Sequence, residues 1–323
     1  MTDITLRDID QARSRIAGVA RRTPLERSRW LSSEHSREVL LKLECLQVTG
    51  SFKLRGAMSK LSHLTSGQRA DGVLTISAGN HGLAVAHCAE TLGIDATIVV
   101  PESASRAKVE AIRSYPVTLI ERGASYDEAE RAARAMQLET SATFVSPYND
   151  EDVIAGQGTV AIEILEDAPE VEAIIVPVGG GGLIAGVAII AKALKPDIKV
   201  YGVEPVASPT MSEALKAGRL IEVEEQETIA DGLAGNVEPG SITFPIVQRL
   251  VDGIILVAEA AIQNAIARIA RQDHLIIEGA AAASIAALAD PRIEGRHVAA
   301  IITGRNITFE LFERVVSQSQ VVS

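Results

Sequence analysis

Three short segments carry residue types that folding alone does not require. The first is TGSFKLRGA, residues 49–57, where Lys53 sits between Phe52 and Leu54, just after a Thr-Gly turn and Ser51. If Ser51 caps a helix, Lys53 lies in its first turn. There the positive end of the helix dipole and an apolar collar both disfavour an ammonium and lower its pKa. A lysine so depressed can condense with a carbonyl cofactor as a Schiff base and later act as a base. Taken alone, however, a lysine in this position is far more often an exposed residue at the start of a helix.

The second segment is SAGNHGLAVA, residues 77–86, which follows an aliphatic run and opens a helical pattern. Gly79 and Gly82 let backbone amides come close to a ligand. Asn80 offers a side-chain amide to a phenolate or carboxylate, and His81 is the next polar group. An ordinary strand-to-helix turn with a capping asparagine reads the same way. The third is VGGGGLIAG, residues 178–186, in which Gly179, Gly180, Gly181 and Gly182 join an aliphatic run to an apolar helix. Bare amides at a helix N-terminus make a phosphate cradle. Each glycine carries a penalty of about 0.5–1 kcal/mol in ordered structure, so four as a mere connection is the weaker account. The same stretch fits a rival: Gly180, Gly182 and Ala185 match G-x-G-x-x-A, and Glu204 ends the next strand about 20 residues on, the pattern of a dinucleotide site. That rival predicts an NAD-binding oxidoreductase and leaves the first two segments unexplained.

The elements that must position these residues are strands alternating with helices. Aliphatic runs at 39–44, 73–77, 96–100, 117–121, 173–178, 199–204 and 298–303 read as strands. Between them, residues 81–93 and 126–138 show apolar spacings of three and four, and Val160–Asp167 and Leu183–Lys195 read as further helices. This alternation implies βαβ units and an α/β fold built on parallel sheets. SPYND, 146–150, has turn chemistry and marks a boundary. Residues 50–147 then form a small domain, with 1–49 and 148–323 forming a larger one. Lys42 and Glu44 alternate on a strand and are expected to face solvent or that boundary. The acidic run IEVEEQE, 221–227, reads as a solvated loop, and Cys45 and Cys88 as packing or surface residues.

Composition narrows the function classes. The chain has 323 residues, enough for about two domains at ~150 residues each. Hydrophobic residues make up 47% but aromatics only 3%, so the interior is built from Ala, Ile, Leu and Val, as suits buried parallel sheets. A net charge of -11 argues against nucleic acid or an anionic membrane as partner. No apolar run reaches the ~20 residues of a membrane span. The opening MTDITLRDIDQARSR reads as an amphipathic helix and not a signal peptide. Two isolated cysteines give no disulfide framework or zinc site, which makes the cytoplasm the expected location.

Together TGSFKLRGA, SAGNHG and GGGGLIAG, in this order and spacing, closely resemble the threonine dehydratase and serine racemase family of fold-type-II pyridoxal-phosphate enzymes. The likeness runs from RTPLERS (22–28) to TGRN (303–306), and AGQGTVAIEI (155–164) is a further hallmark. It implies the two-domain fold of tryptophan synthase β-like enzymes and a pyridoxal 5'-phosphate cofactor. The implied activity is dehydration and deamination of a small β-hydroxy amino acid, such as threonine or serine, to a 2-oxo acid and ammonia. By the same resemblance Lys53 is the Schiff-base lysine, Phe52 packs against the cofactor ring, and Asn80 bonds its phenolic oxygen. Gly179, Gly180, Gly181, Gly182 and Leu183 hold the phosphate, Thr303 lies beside the pyridine nitrogen, and Gly235 and Glu278 lie near the cofactor. Ser51, Ser77, Ala78, Asn80 and His81 line the substrate pocket.

Departures from the family pattern sharpen these expectations. Serine racemases carry a second serine where this chain has Ala78, so racemisation should be slow. Racemase-like members bind a divalent cation (Mg or Ca) through a glutamate equivalent to Glu204 and an acid six residues later. Here that later position is the neutral Thr210, so a cation would rest on Glu204 and the Ser208 carbonyl, fewer charged oxygens than a hard cation prefers. Glu204 is then better read as a polar strand end. The chain ends without the length for the regulatory domain of allosteric threonine dehydratases, so feedback by isoleucine is not expected and a catabolic role is. The opening segment is reminiscent of the dehydratase-like proteins of ectoine and hydroxyectoine catabolism, which would make the substrate a hydroxylated diamino acid or a 3-hydroxyaspartate. Family members are usually dimers or tetramers.

Overall fold

A computed structural model describes residues 4–124 and 126–318. Two sheets organise it. The larger has six strands in the order β1 (Leu25–Arg27), β2 (Glu38–Lys42), β10 (His297–Ile301), β7 (Ala173–Pro177), β8 (Lys199–Pro205) and β9 (Gly253–Val257). All its pairings are parallel except β1 against β2. The smaller sheet is parallel throughout, in the order β5 (Thr118–Glu121), β4 (Ala96–Val100), β3 (Val73–Ile76) and β6 (Thr143–Phe144). Helices cover both faces of the larger sheet with separate aliphatic cores, one built around the helices at 151–167 and 182–194, the other around those at 259–272 and 279–286. Among the described residues no helix is long and apolar enough to cross a membrane.

The helix Glu151–Asp167 is the hub. It starts nine residues before the expected Val160, because the SPYND turn ends in its cap: the Asp150 carboxylate accepts the amides of Asp152 (2.9 Å) and Val153 (3.1 Å). Its first half is disguised by AGQGT, whose glycines serve close approach. A Cβ at Gly156 would lie 2.5 Å from the Arg55 carbonyl oxygen and 2.7 Å from Gly56 Cα, so backbone meets backbone where this helix crosses the lysine helix, Lys53–His63. On its other side Gly186, in the helix Gly182–Leu194, makes the same kind of contact, its absent Cβ falling 2.6 Å from the Gly158 nitrogen. One helix thus joins the segment bearing Lys53 to the segment bearing the glycine turn.

The solvent-facing alternative for Lys42 and Glu44 is corrected. Strand β2 stops at Lys42, Glu44 opens a short 3-10 turn, and both side chains are fully buried, because both faces of β2 are covered. They belong to a cluster of four charges with Arg55 and Glu163. Arg55 donates through Nε and Nη2 to Glu44 (2.8 and 2.7 Å), and through Nη1 and Nη2 to Glu163 (2.7 and 2.8 Å). Lys42 Nζ donates to Glu163 and to the Thr23 carbonyl, both at 2.6 Å. Burial works against the charge on Arg55, but the two carboxylates outweigh it and raise its pKa. Cys45 and Cys88 are buried and free, and burial pushes the Cys45 thiol up to about 12. In the acidic loop Glu225 accepts from Ser208 Oγ (2.8 Å) and the Gly235 amide (2.7 Å), and Val223 and Gln226 are tied down through their backbones.

Candidate active site

Lys53 stands at the carboxyl end of β10, well inside the larger sheet. The segment before it pairs with the segment after β10: Ser51 bridges Gly304, the Phe52 amide donates to the Thr303 carbonyl (3.0 Å), and the Arg305 amide to that of Gly50 (2.9 Å). Carboxyl ends of parallel strands are where such sheets leave a crevice for ligands. Ser51 is not the helix cap. That position is Phe52, which has no side-chain cap, and Lys53 occupies the first helical position. The reason is the Ser51 bridge, which commits its backbone to the neighbouring chain. Lys53 Nζ donates to the Pro147 carbonyl (2.8 Å) and lies 5.2 Å from the Phe52 ring centroid. Burial pushes this amine down to about 8, against the opposing pull of Glu278.

Several polar groups around it lack partners. The hydroxyls of Ser51, Thr303 and Thr49 and the Nδ1 of His81 are buried with no hydrogen bond among the described residues. His81 Nε2 lies 3.0 Å from the Val145 carbonyl, so it carries the ring proton and Nδ1 is a bare acceptor. Burial, with the charge of Lys53, holds this imidazole down at about 3, neutral throughout the physiological range. Ser77 Oγ accepts the Gly79 amide (3.1 Å), which shapes the turn ahead of the helix Asn80–Leu92. Ala78 is half-buried in that turn. Asn80 crosses to the larger sheet's side, donating to Glu278 (2.8 Å) and accepting from Asn306 Nδ2 (2.6 Å). Burial pushes the Glu278 carboxyl up to about 7.

The glycine turn follows β7, the neighbour of β10. Gly181 adopts φ +86°, and the Gly180 carbonyl accepts from Thr243 Oγ1 (2.7 Å). Tyr148 lies against the turn so closely that a Cβ at Gly180 would fall 2.3 Å from its ring, and one at Gly182 would fall 2.9 Å from its Cα. The amides of Gly179, Gly180 and Gly181 donate to no described group, and Leu183 is buried in the first turn of the helix that follows. Unpaired amides, orphaned hydroxyls and a depressed amine, gathered around one crevice, fit a phosphorylated carbonyl cofactor.

Gly235 (φ +119°) sits in a loop, its amide on Glu225. Gly232 and Leu233 border the turn, the Gly232 carbonyl 3.2 Å and the Leu233 Cα 3.3 Å from the Cβ position of Gly179. Glu204 and Ser208 are at the end of β8. The Glu204 carboxyl accepts the amides of Met211 (2.7 Å) and Ser212 (2.8 Å) at the start of the helix Thr210–Ala217, and burial raises it to about 7. It therefore anchors the start of that helix. Among the described residues no group of three or more His, Cys, Asp or Glu side chains could hold a metal ion. Sequence reasoning missed Asn306, Tyr148 and Thr243, of which only Asn306 carried a signal, inside TGRN.

Residues 16–304 match the family model described as pyridoxal-phosphate dependent enzyme. The L-threonine ammonia-lyase of Thermotoga maritima is 43% identical over 321 residues, covering 99% of this chain and 80% of that protein. Among solved structures, maize serine racemase is 35% identical with a TM-score of 0.92, covering 97% of each chain. The processed form of threonine deaminase isoform 2 from Solanum lycopersicum is 33% identical with a TM-score of 0.91, covering 96% of this chain and 87% of that one. These likenesses leave no place for the dinucleotide reading of Gly180, Gly182, Ala185 and Glu204.

Proposed function

Because the chain belongs to the pyridoxal-phosphate-dependent enzyme family, we propose that it is an ammonia-lyase that converts L-threonine, and L-serine less well, to a 2-oxo acid and ammonia. The observation that carries this is the Lys53 amine, held at about 8 in a crevice that also contains the partnerless Thr303 hydroxyl and the unpaired amides of the glycine turn. Pyridoxal phosphate, when bound, supplies the electron sink for the charge developing at the substrate α-carbon. Gly179 to Gly182 and Leu183 would hold its phosphate, Asn80 its ring oxygen and Thr303 its ring nitrogen, with Phe52 beside the ring. Thr303 is a neutral partner that gives the ring nitrogen no charge, which suits a short elimination more than a long-lived carbanion.

Lys53 would anchor the cofactor, and its Nζ would take the substrate α-proton. An amine near 8 is well matched to that task at neutral pH. The turn from Ser77 to His81, at the N-terminus of the helix Asn80–Leu92, receives the substrate carboxylate on the backbone N–H groups of Ala78, Asn80 and His81, those of Ser77 and Gly79 being engaged within the fold, with Ser51 on the facing side. His81 stays neutral and adds no charge to the pocket. The α-proton and the β-hydroxyl are lost together as water, the enamine left behind takes a proton at its β-carbon, and water adding to the resulting imine carbon expels ammonia and leaves the 2-oxo acid.

Residues 50–147 act as the small substrate-side domain closing on the rest of the chain. Two buried free thiols suit a reducing cytoplasm, and a homodimer or homotetramer is the proposed assembly. Ala78 offers no proton to the face opposite Lys53, so elimination outpaces racemisation. The test is a panel of L- and D-threonine, L- and D-serine, 3-hydroxyaspartate isomers and hydroxylated diaminobutyrates, scored for ammonia and 2-oxo acid release. The reading predicts the highest kcat/KM with L-threonine, slow interconversion of serine enantiomers, and faster interconversion in Ala78→Ser. Preference for the diamino acids or 3-hydroxyaspartate would replace it with the ectoine-related alternative.

A further inference from the structure

Both ends of the Asn80 amide are held by residues of the larger sheet's side, which is more than a single contact with a cofactor oxygen requires. Nδ2 donates to Glu278 Oε1 (2.8 Å) and Oδ1 accepts from Asn306 Nδ2 (2.6 Å). Asn306 is fixed in turn. Its Nδ2 also donates to the Thr49 carbonyl (3.0 Å) and its backbone amide to Glu278 Oε2 (3.2 Å). Gly50, at φ +76°, lacks the Cβ that would fall 2.7 Å from Asn306 Oδ1.

These bonds decide which way round each amide lies. A backbone carbonyl only accepts, so Thr49 dictates that Asn306 presents its NH2 group on that side. That NH2 can be met only by the oxygen of Asn80, which turns the Asn80 nitrogen toward Glu278. An amide nitrogen has two hydrogens, and one remains after Glu278 is served. Glu278 could not impose this orientation by itself. Its carboxyl is raised to about 7, and a carboxylic acid can donate as well as accept, so it would tolerate either end of the amide.

We propose that Asn306 is a positioning residue that sets the amide orientation of Asn80 and thereby keeps its remaining N–H available for the ring oxygen of the cofactor. The inference rests on the reading of Asn80 given above. Turned over, Asn80 would set a carbonyl oxygen against an anionic ring oxygen, replacing an attraction with a repulsion.

The experiment compares the wild-type holoenzyme with Asn80→Ala, Asn306→Ala, Asn306→Asp and the Asn80→Ala/Asn306→Ala double variant. Two quantities are read: the dissociation constant for pyridoxal phosphate, by titrating it back into dialysed protein, and the position and pH midpoint of the visible absorbance band. Loss of one hydrogen bond to a charged oxygen weakens binding by about tenfold. Each alanine variant should show that loss and a shifted band, and the double variant should bind no more weakly than Asn80→Ala. Asn306→Asp, read above the pH at which its carboxyl ionises, has nearly the same shape but no side-chain N–H to donate. It forces the wrong orientation and should bind more weakly than Asn306→Ala. Additive losses in the double variant, or wild-type affinity and spectrum in both Asn306 variants, would overturn the inference while leaving the role of Asn80 intact. An Asn80→Ala variant with unchanged affinity and spectrum would overturn that role and the inference together.

Discussion

Arg55→Met tests the link between the buried charge cluster and the lysine helix. Arg55 is completely buried, two residues beyond Lys53, and every guanidinium nitrogen is engaged: with Glu44, with Glu163, with Thr159 Oγ1 (3.1 Å) and with the Arg21 carbonyl (3.2 Å). The four buried charges Lys42, Arg55, Glu44 and Glu163 sum to zero. Methionine fills much of the volume but leaves one ammonium facing two carboxylates. Breaking a buried pair from one side costs about 3–5 kcal/mol, far more than the apolar side chain returns. At about 2 °C per kcal/mol, the low end for a larger chain, the Tm should fall by about 6–10 °C. Thermal unfolding followed by circular dichroism measures this. Arg55→Lys keeps the charge but not the two-sided fork, and should fall between. Glu44→Leu/Arg55→Met leaves the neutral pair Lys42–Glu163 and should lose less than the sum of the two single variants. A Tm change under about 2 °C for Arg55→Met, or strict additivity in the double variant, would refute the reasoning.

Two other substitutions probe separate parts of the account. Gly182→Ala places a methyl 2.9 Å from the Tyr148 backbone, which cannot yield as a side-chain tip would. It should weaken pyridoxal-phosphate binding by at least about tenfold, seen in the same titration, whereas unchanged affinity would remove the turn from the phosphate site. Glu204→Gln should flatten the dependence of stability on pH. Burial raises this carboxyl to about 7, only partly offset by the amides of Met211 and Ser212. The folded state therefore keeps a proton that the unfolded chain releases above its ordinary value near 4.5, and stability falls as pH rises from about 4.5 to about 7. Denaturation midpoints across that window should fall less steeply in the variant, and an identical slope would contradict the assignment.

The parallel architecture was legible because buried strands leave short aliphatic runs, as at 96–100 and 173–178, set between helical patterns. Less legible were elements whose residues answer to distant partners. The first half of the helix Glu151–Asp167 hides behind Gly156 and Gly158, which weaken the helical signal locally and are there so that backbones can touch. Strand β9, at the sheet edge with half-buried Gly253 and Ile254, and the three-residue β1 lie outside the aliphatic runs that read as strands. Lys42 and Glu44 misled because alternation implies an exposed face only when one face of a strand is uncovered. At the site, Lys53, Asn80 and the glycine turn announce themselves by composition. Tyr148, Thr243 and Asn306 act by contact with those motifs, and Ser51 failed as a cap because its backbone is paired with Gly304. Such relations span up to 257 residues of sequence, as from Asn306 to Thr49, and no local spacing encodes them.

The central claim is the covalent attachment of pyridoxal phosphate to Lys53. Borohydride reduction of the purified holoenzyme, followed by proteolysis and tandem mass spectrometry, reads it directly. The account predicts one reduced pyridoxyl-phosphate adduct per chain, on the peptide containing Ser51-Phe52-Lys53, with no adduct and no visible absorbance band in Lys53→Ala. An adduct confined to another lysine, or a cofactor-saturated wild-type protein that yields none, would contradict it.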